Sequence, residues 1–188
     1  MTSIRTFIAF DTPERIKKKM SEIQTELKKS NADIKWEDGN KFHTTIKFLG
    51  DVDETILPQI IGVTEQAIAG IKRFDVAYSS LGCFPNKRRP RVIWIGCENA
   101  GGTVNKLKGL LDQSLQPVGF EVDDRAFHPH ITLGRVRTQN GVQNLISMLE
   151  SLTFEPQGAI ITDIAVMKSV LRHGGSEYTI LKSIKLKE

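Results

Sequence analysis

The sequence contains one short motif twice: a histidine, any residue, a threonine and an apolar residue. The copies are His43-Thr44-Thr45-Ile46 and His130-Ile131-Thr132-Leu133. Because side chains alternate along a strand, the histidine and the threonine of each copy share one face. Near neutral pH one imidazole can accept a proton while another donates one, and two hydroxyls can donate hydrogen bonds to oxygens that gain charge. These four groups suit cleavage of a phosphodiester, most simply a cyclic one, if the two copies face a shared groove.

Residues that follow each motif are candidates for substrate contacts. Lys47 lies on the face of His43 by alternation, which predicts a phosphate contact at the rim of the groove. Alternation places Phe48 in the core. Arg135 can bind phosphate through two hydrogen bonds, but it reaches the face of His130 only if the strand ends or bulges near Gly134.

His128 and His130 have the spacing of a metal-ligand pair, so a metal site is one interpretation of the second motif. Neither motif supplies the carboxylate that a third ligand would require. Two histidines and two threonines already provide an acid, a base and charge stabilisation. We therefore expect no metal and no cofactor, and a structural role for His128.

A basic segment is the second candidate for chemistry. It comprises Lys87, Arg88, Arg89 and Arg91 and is interrupted by prolines. Clustered arginine and lysine release counterions from nucleic acid, so the segment is predicted to contact RNA. A solvated basic loop remains the alternative.

Composition limits the class of protein. The 188 residues are 39% hydrophobic and 26% charged, with a net charge of +4. No apolar stretch approaches the roughly 20 residues that span a bilayer, and no signal peptide is recognised. Cys83 and Cys97 form no disulfide pattern. We expect a cytoplasmic monomer without a membrane segment.

The elements that position the motifs are predicted to occur in two similar halves. In each half a strand (from residue 4 or 91) precedes a helix, a motif strand, a second helix and a further strand. Arg5 and Arg91, near the beginnings of the two first strands, are 86 positions apart and the histidines are 87 apart, which indicates an internal duplication. The expected architecture is α+β: residues 1–188 form a single domain of two lobes, with antiparallel sheets facing a central groove and helices outside.

These residues resemble the two-histidine (2H) phosphoesterases, and among them the RNA 2′,3′-cyclic phosphodiesterases, also called LigT-type or 2′-5′ RNA ligase-like proteins. The resemblance covers essentially the whole chain. The first motif continues into Lys47-Phe48-Leu49-Gly50, and the second is flanked by Phe127-His128-Pro129 and Arg135.

The resemblance implies a reaction and its residues. An RNA end or nucleotide with a 2′,3′-cyclic phosphate is hydrolysed to a 2′-phosphate without metal, with 2′-5′ ligation as a weaker reverse activity in RNA processing. His43 is then the proton donor to the 3′ oxygen, and His130 is the proton acceptor from water. Thr45 and Thr132 hold the phosphate oxygens. An aromatic residue at position 48 stacks a base in this interpretation, so the place of Phe48 stays open.

Three alternatives remain at this stage. The first is a related enzyme for another phosphodiester, such as a 2′-5′ oligonucleotide or a small cyclic nucleotide-sugar. The second is a nucleotide sensor with little turnover. The third is an RNA-binding protein that uses the basic segment alone.

Overall fold

Strands and helices alternate along the chain. The computed structural model describes residues 3–123, 125–172 and 175–188. The strands are β1 (Ser3–Asp11), β2 (Ile34–Trp36), β3 (His43–Asp53), β4 (Phe74–Phe84), β5 (Val92–Glu98), β6 (His130–Val136), β7 (Gln157–Ile161), β8 (Asp163–Arg172) and β9 (Gly175–Lys185). The helices are α1 (Glu14–Lys28), α2 (Leu57–Ile68), α3 (Thr103–Leu115) and α4 (Val142–Ser151).

The strands form one antiparallel sheet that curls into a half-barrel. Its order is β7-β4-β5-β6-β3-β1-β8-β9, and the short β2 pairs with β6. The two motif strands, β3 and β6, are neighbours at the centre, paired at Thr44 and Ile131. The α+β class with outer helices is confirmed. The strands of the two halves, however, belong to one continuous sheet.

Strands β4 and β8 pair with strands of the other half of the chain. β4 follows α2 in the first half, but its neighbours are β5 and β7. β8 follows α4 in the second half, but it lies between β1 and β9. The sheet order is therefore similar from its centre to either edge, and each side of the site is built from both halves.

The helices cover the convex face of the sheet, as their apolar stripes predict. Ile16 and Met20 of α1, Ile60 of α2 and Leu107 of α3 are completely buried. They belong to one core together with strand residues such as Ile131. The concave face is left for the histidines and threonines.

Two strands were not predicted from the sequence. β2 lies in the polar stretch 31–40 and pairs with the end of β6. The apolar stretch 159–171 was expected to be one strand, but it divides at Thr162 into β7 and β8, which lie near opposite edges of the sheet. The glycine-rich stretch 173–176 predicts a turn, and residues 173 and 174 lie outside the described part of the chain.

Candidate active site

The central pair of strands brings both motifs together. Thr44 and Ile131 are backbone partners, and both side chains are completely buried on the convex side. In this antiparallel register, His43 lies beside Thr132 and Thr45 lies beside His130 on the concave face. The two imidazoles occupy diagonal positions, for which backbone separations are roughly 7–8 Å. A phosphate group can lie between them.

The two imidazoles are held in the same way. Nδ1 of His43 is 2.7 Å from the carbonyl oxygen of Lys41, and Nδ1 of His130 is 2.7 Å from that of His128. A carbonyl oxygen only accepts hydrogen bonds, so Nδ1 carries the proton in both rings. In each histidine Nε2 is therefore the nitrogen that gains or loses a proton.

Aromatic rings enclose His43. Phe7 of β1 stacks on its imidazole with 5.0 Å between ring centroids, and Tyr178 of β9 meets it edge-on, also at 5.0 Å. Tyr178 also packs against Phe7, at 5.3 Å. The His43 ring is thus fixed from two sides by residues of β1 and β9.

A similar enclosure surrounds His130. Phe84 of β4 meets its ring edge-on at 5.0 Å, and Trp94 of β5 lies 6.4 Å away. A tryptophan in an apolar strand is most simply expected in the core, but the ring of Trp94 reaches the concave face. The signal was available: Phe7 and Trp94 are separated by 87 positions, as are the two histidines.

Burial lowers the pKa of both histidines from the ordinary value of 6.5. Their charged neighbours differ. For His43 the Asp11 carboxylate opposes this shift, whereas the charges of Lys17 and His130 add to it. For His130 the hydrogen bond to the His128 carbonyl oxygen raises the pKa, whereas the charges of Arg135 and of the His128 side chain lower it. The surroundings of His43 therefore include an anion that favours its protonated form, and those of His130 favour the neutral form.

The residues after the first motif do not follow strict alternation. Thr45 pairs with Ala9 and Lys47 with Ile8, so Ile46 is an extra residue in β3 and forms a β-bulge. The bulge reverses the faces beyond it. Phe48 reaches the concave face, where its ring is 6.2 Å from Phe7 and 71% of its surface is exposed. The prediction of a core position for Phe48 is wrong.

The predicted position of Lys47 at the groove is also wrong, for the same reason. Only 4% of Lys47 is exposed. Its Nζ lies 2.5 Å from a carboxylate oxygen of Asp112 in α3 and donates to the carbonyl oxygen of Glu121 at 2.9 Å. Lys108 forms a second ion pair with the same carboxylate. Lys47 thus joins β3 to α3 and to the segment that leads into the second motif.

The second motif has the equivalent irregularity. Trp94 pairs with Thr132 and Ile93 with Gly134, so Leu133 is the extra residue in β6. The bulge lies next to Gly134 and fulfils the condition under which Arg135 can reach the face of His130. Arg135 consequently shares the concave face with His130, and its guanidinium, more than half exposed, lies 3.8 Å from the Glu37 carboxylate.

The basic segment lies in the turn between β4 and β5. Lys87 forms an ion pair with Glu150 of α4 at 2.8 Å. Arg89 and Arg91 line a cavity, which Arg88 does not. The segment follows Phe84, which contacts His130, and only two of its four cations line the cavity.

Three further observations describe the chain as a whole. Cys83 and Cys97 are free thiols. None of the described helices has the length and apolar character needed to span a membrane. Within the described ranges, no three histidine, cysteine or carboxylate side chains form a group suited to a metal ion.

Known proteins are similar to this chain in both sequence and fold. The model of the LigT-like phosphoesterases matches residues 10–94 and 95–176, and each stretch contains one motif. An RNA 2′,3′-cyclic phosphodiesterase of Methanothermobacter thermautotrophicus is 32% identical over 184 residues, 97% of this chain and 99% of that protein. One from Thermotoga maritima is 33% identical over 178 residues, with 95% and 93% covered.

Solved structures agree in fold. A Thermus thermophilus protein superposes with a TM-score of 0.82 at 24% identity, covering 98% of both chains. Escherichia coli LigT complexed with 3′-AMP gives 0.79 at 22% identity and full coverage of both. With two matched stretches and relatives of this similarity, the chain belongs to the LigT-like phosphoesterase family.

Proposed function

We propose that the protein hydrolyses 2′,3′-cyclic phosphodiesters at RNA ends to 2′-phosphomonoesters. The observation that carries this proposal is the diagonal placement of two equally oriented imidazoles, each beside a threonine of the other motif. The names of the relatives support the substrate class.

The proposed reaction is an in-line displacement at phosphorus. Nε2 of neutral His130 accepts a proton from water as the water oxygen bonds to phosphorus. Nε2 of protonated His43 donates its proton to the 3′ oxygen as the bond from phosphorus to that oxygen breaks. The product retains the phosphate on the 2′ oxygen, and solvent restores both protonation states.

Unequal electrostatic surroundings support this division of roles. Asp11 favours the imidazolium of His43, whereas Arg135 favours neutral His130. An acid and a base need opposite protonation states at the same pH. Burial lowers the pKa of both rings, and Asp11 opposes this shift at His43 while Arg135 adds to it at His130.

The remaining residues bind the substrate in this proposal. Thr45 and Thr132 donate hydrogen bonds to the non-bridging oxygens, where charge increases in the transition state. Arg135 contacts the same phosphate from the rim. The exposed ring of Phe48 stacks the terminal base, because a flat aromatic surface accepts any base.

The protein acts as a monomer in this proposal, since one chain supplies both motifs and all of these groups. Size-exclusion chromatography with light scattering tests that state. We place the protein in the cytoplasm, where free thiols such as Cys83 and Cys97 persist. Ligation through a 2′-5′ bond is expected to be weaker than hydrolysis, because water competes with any RNA hydroxyl for the phosphorus.

The test is hydrolysis of a nucleoside 2′,3′-cyclic phosphate in the presence of EDTA, with products identified by phosphorus NMR. Wild type should yield the 2′-phosphate, and His43→Ala and His130→Ala should each reduce turnover by about 10²–10⁴-fold. Circular dichroism melting establishes that the variants remain folded. Tight nucleotide binding without product would instead identify a nucleotide sensor, and RNA binding that survives both substitutions without turnover would identify an RNA-binding protein.

A further inference from the structure

A cavity of about 460 Å³ lies at the turn between β4 and β5. Its lining residues are Phe84, Pro85, Asn86, Arg89, Arg91 and Val92. One wall is apolar and partly aromatic, and the others offer an amide and two guanidinium groups. Apolar walls with a few polar groups are typical of small-molecule sites, and arginines favour planar groups and phosphates.

The turn that forms this cavity is closed by its own hydrogen bonds. Oδ1 of Asn86 accepts from the backbone N–H groups of Arg88 and Arg89 at 3.0 and 3.1 Å. The N–H of Arg91 donates to the carbonyl oxygen of Phe84 at 2.6 Å. The cavity is therefore built by an ordered turn.

The positive charge of the cavity is available to a ligand. Lys87, next in sequence to Asn86, is engaged by Glu150. Arg89 and Arg91 have no carboxylate partner within the described part of the chain. Both guanidinium groups are thus free to bind an anion.

The cavity is continuous with the His130 side of the site. The Phe84 ring in its wall meets the His130 imidazole edge-on at 5.0 Å. Val92 in the same wall pairs with both Phe84 and Arg135 across the sheet. A ligand group in this cavity is therefore within one side chain of the candidate active site.

We propose that this cavity binds the nucleotide adjacent to the cyclic phosphate end of an RNA strand. Its base packs against Phe84, Pro85 and Val92, and its phosphate is bound by Arg89 and Arg91. This inference rests on the proposed function and narrows it: the preferred substrate has at least two nucleotides. When the terminal ribose of the RNA strand is bound at the active site, the second base and its phosphate lie at the cavity.

The test compares a nucleoside 2′,3′-cyclic phosphate with a dinucleotide that ends in the same group. In wild type the kcat/KM of the dinucleotide should exceed that of the mononucleotide by about tenfold or more, the size expected for a charge-assisted hydrogen bond. The ratio should fall towards one in Arg89→Ala combined with Arg91→Ala, and it should shrink as salt increases. Arg88→Ala removes one charge of the same segment outside the cavity and should retain the ratio, whereas Arg89→Ala or Arg91→Ala alone should lower it.

Other outcomes separate the two proposals. Equal kcat/KM for both substrates in wild type would overturn the cavity assignment while leaving the proposed function intact, whereas no turnover of either substrate would overturn the function itself. If Arg88→Ala lowered the kcat/KM ratio as much as Arg89→Ala or Arg91→Ala, the assignment would also be overturned. A dinucleotide that lacks the upstream base should show a smaller kcat/KM ratio over the mononucleotide. An unchanged ratio would overturn the assignment of the base to the cavity.

Discussion

Phe48 and Arg135 occupy equivalent positions in the two motif strands. Each lies five residues after its histidine, and each is turned onto the concave face by one extra residue, Ile46 in β3 and Leu133 in β6. An aromatic ring and a guanidinium group thus stand at opposite sides of a nearly symmetric site. In the proposed function this difference gives the site a direction, with a base on the side of Phe48 and phosphate on the side of Arg135.

Replacing Phe48 tests the base-stacking side. Phe48→Ala should raise KM by about 5- to 150-fold, because stacking contributes roughly 1–3 kcal/mol per base, while kcat changes little. Steady-state kinetics with a nucleoside 2′,3′-cyclic phosphate measures both parameters. Phe48→Tyr retains the ring and serves as the matched control. An equal fall in kcat and kcat/KM would show that Phe48 acts in the transition state instead.

The pH dependence of kcat/KM follows from the lowered pKa of both histidines. His130 must be neutral, so its lowered pKa extends activity to pH values below 6.5. His43 must be protonated, and its pKa is also lowered. As the pH rises, activity should therefore begin to decline before pH 6.5 is reached. The optimum of kcat/KM should therefore lie on the acidic side of 6.5. An optimum above that pH would contradict the assigned states.

Each of two substitutions, at Arg135 and at Asp11, should move a different limb of the pH profile of kcat/KM. Arg135→Ala removes a charge that lowers the pKa of His130, so the acidic limb should move to higher pH. Asp11→Asn removes the carboxylate that raises the pKa of His43, so the alkaline limb should move to lower pH. If the two substitutions moved the opposite limbs, His43 would be the base and His130 the acid.

The buried ion pairs around Asp112 predict an order of stabilities. Asp112→Asn leaves two buried ammonium groups, those of Lys47 and Lys108, without a counter-charge, which should cost about 3–5 kcal/mol of unfolding free energy. Lys47→Met leaves the pair of Lys108 with Asp112 intact and should cost less. Urea denaturation measures both values, with the exposed residue Lys106→Met as control. A larger loss for Lys47→Met would mean that its bond to Glu121 dominates.

Period-two alternation predicted the central part of the site from sequence but failed beyond it. It correctly put Thr44 and Ile46 in the core and Thr45 on the face of its histidine. It failed at Lys47 because the bulge depends on pairing with β1 and on a carboxylate 65 residues further along the chain. Neither partner is visible in a local pattern.

The pairing of β4 and β8 with strands of the other half could not be predicted from the sequence for a related reason. The apolar stretch 159–171 has the composition of a strand throughout, and nothing in it marks Thr162 as the point where the chain passes from one side of the sheet to the other. Sheet order is decided by which edges are open when all strands are present. The 87-residue offset also relates Phe7 to Trp94, so the sequence does indicate that these two rings occupy equivalent positions.

The exchange of β4 and β8 predicts that neither half folds alone. Fragment 1–88 contains β4 without its partners β5 and β7, and β1 without β8. Each fragment of a chain divided at the exposed turn 86–89 should lack a cooperative thermal transition, and mixing 1–88 with 89–188 should restore it together with turnover. A continuous chain carrying a protease site in the same turn provides the control, since it should stay folded after cleavage. Because the open edges of β1 and β4 would otherwise face solvent, a cooperative transition in fragment 1–88 alone would contradict the mutual dependence of the two halves.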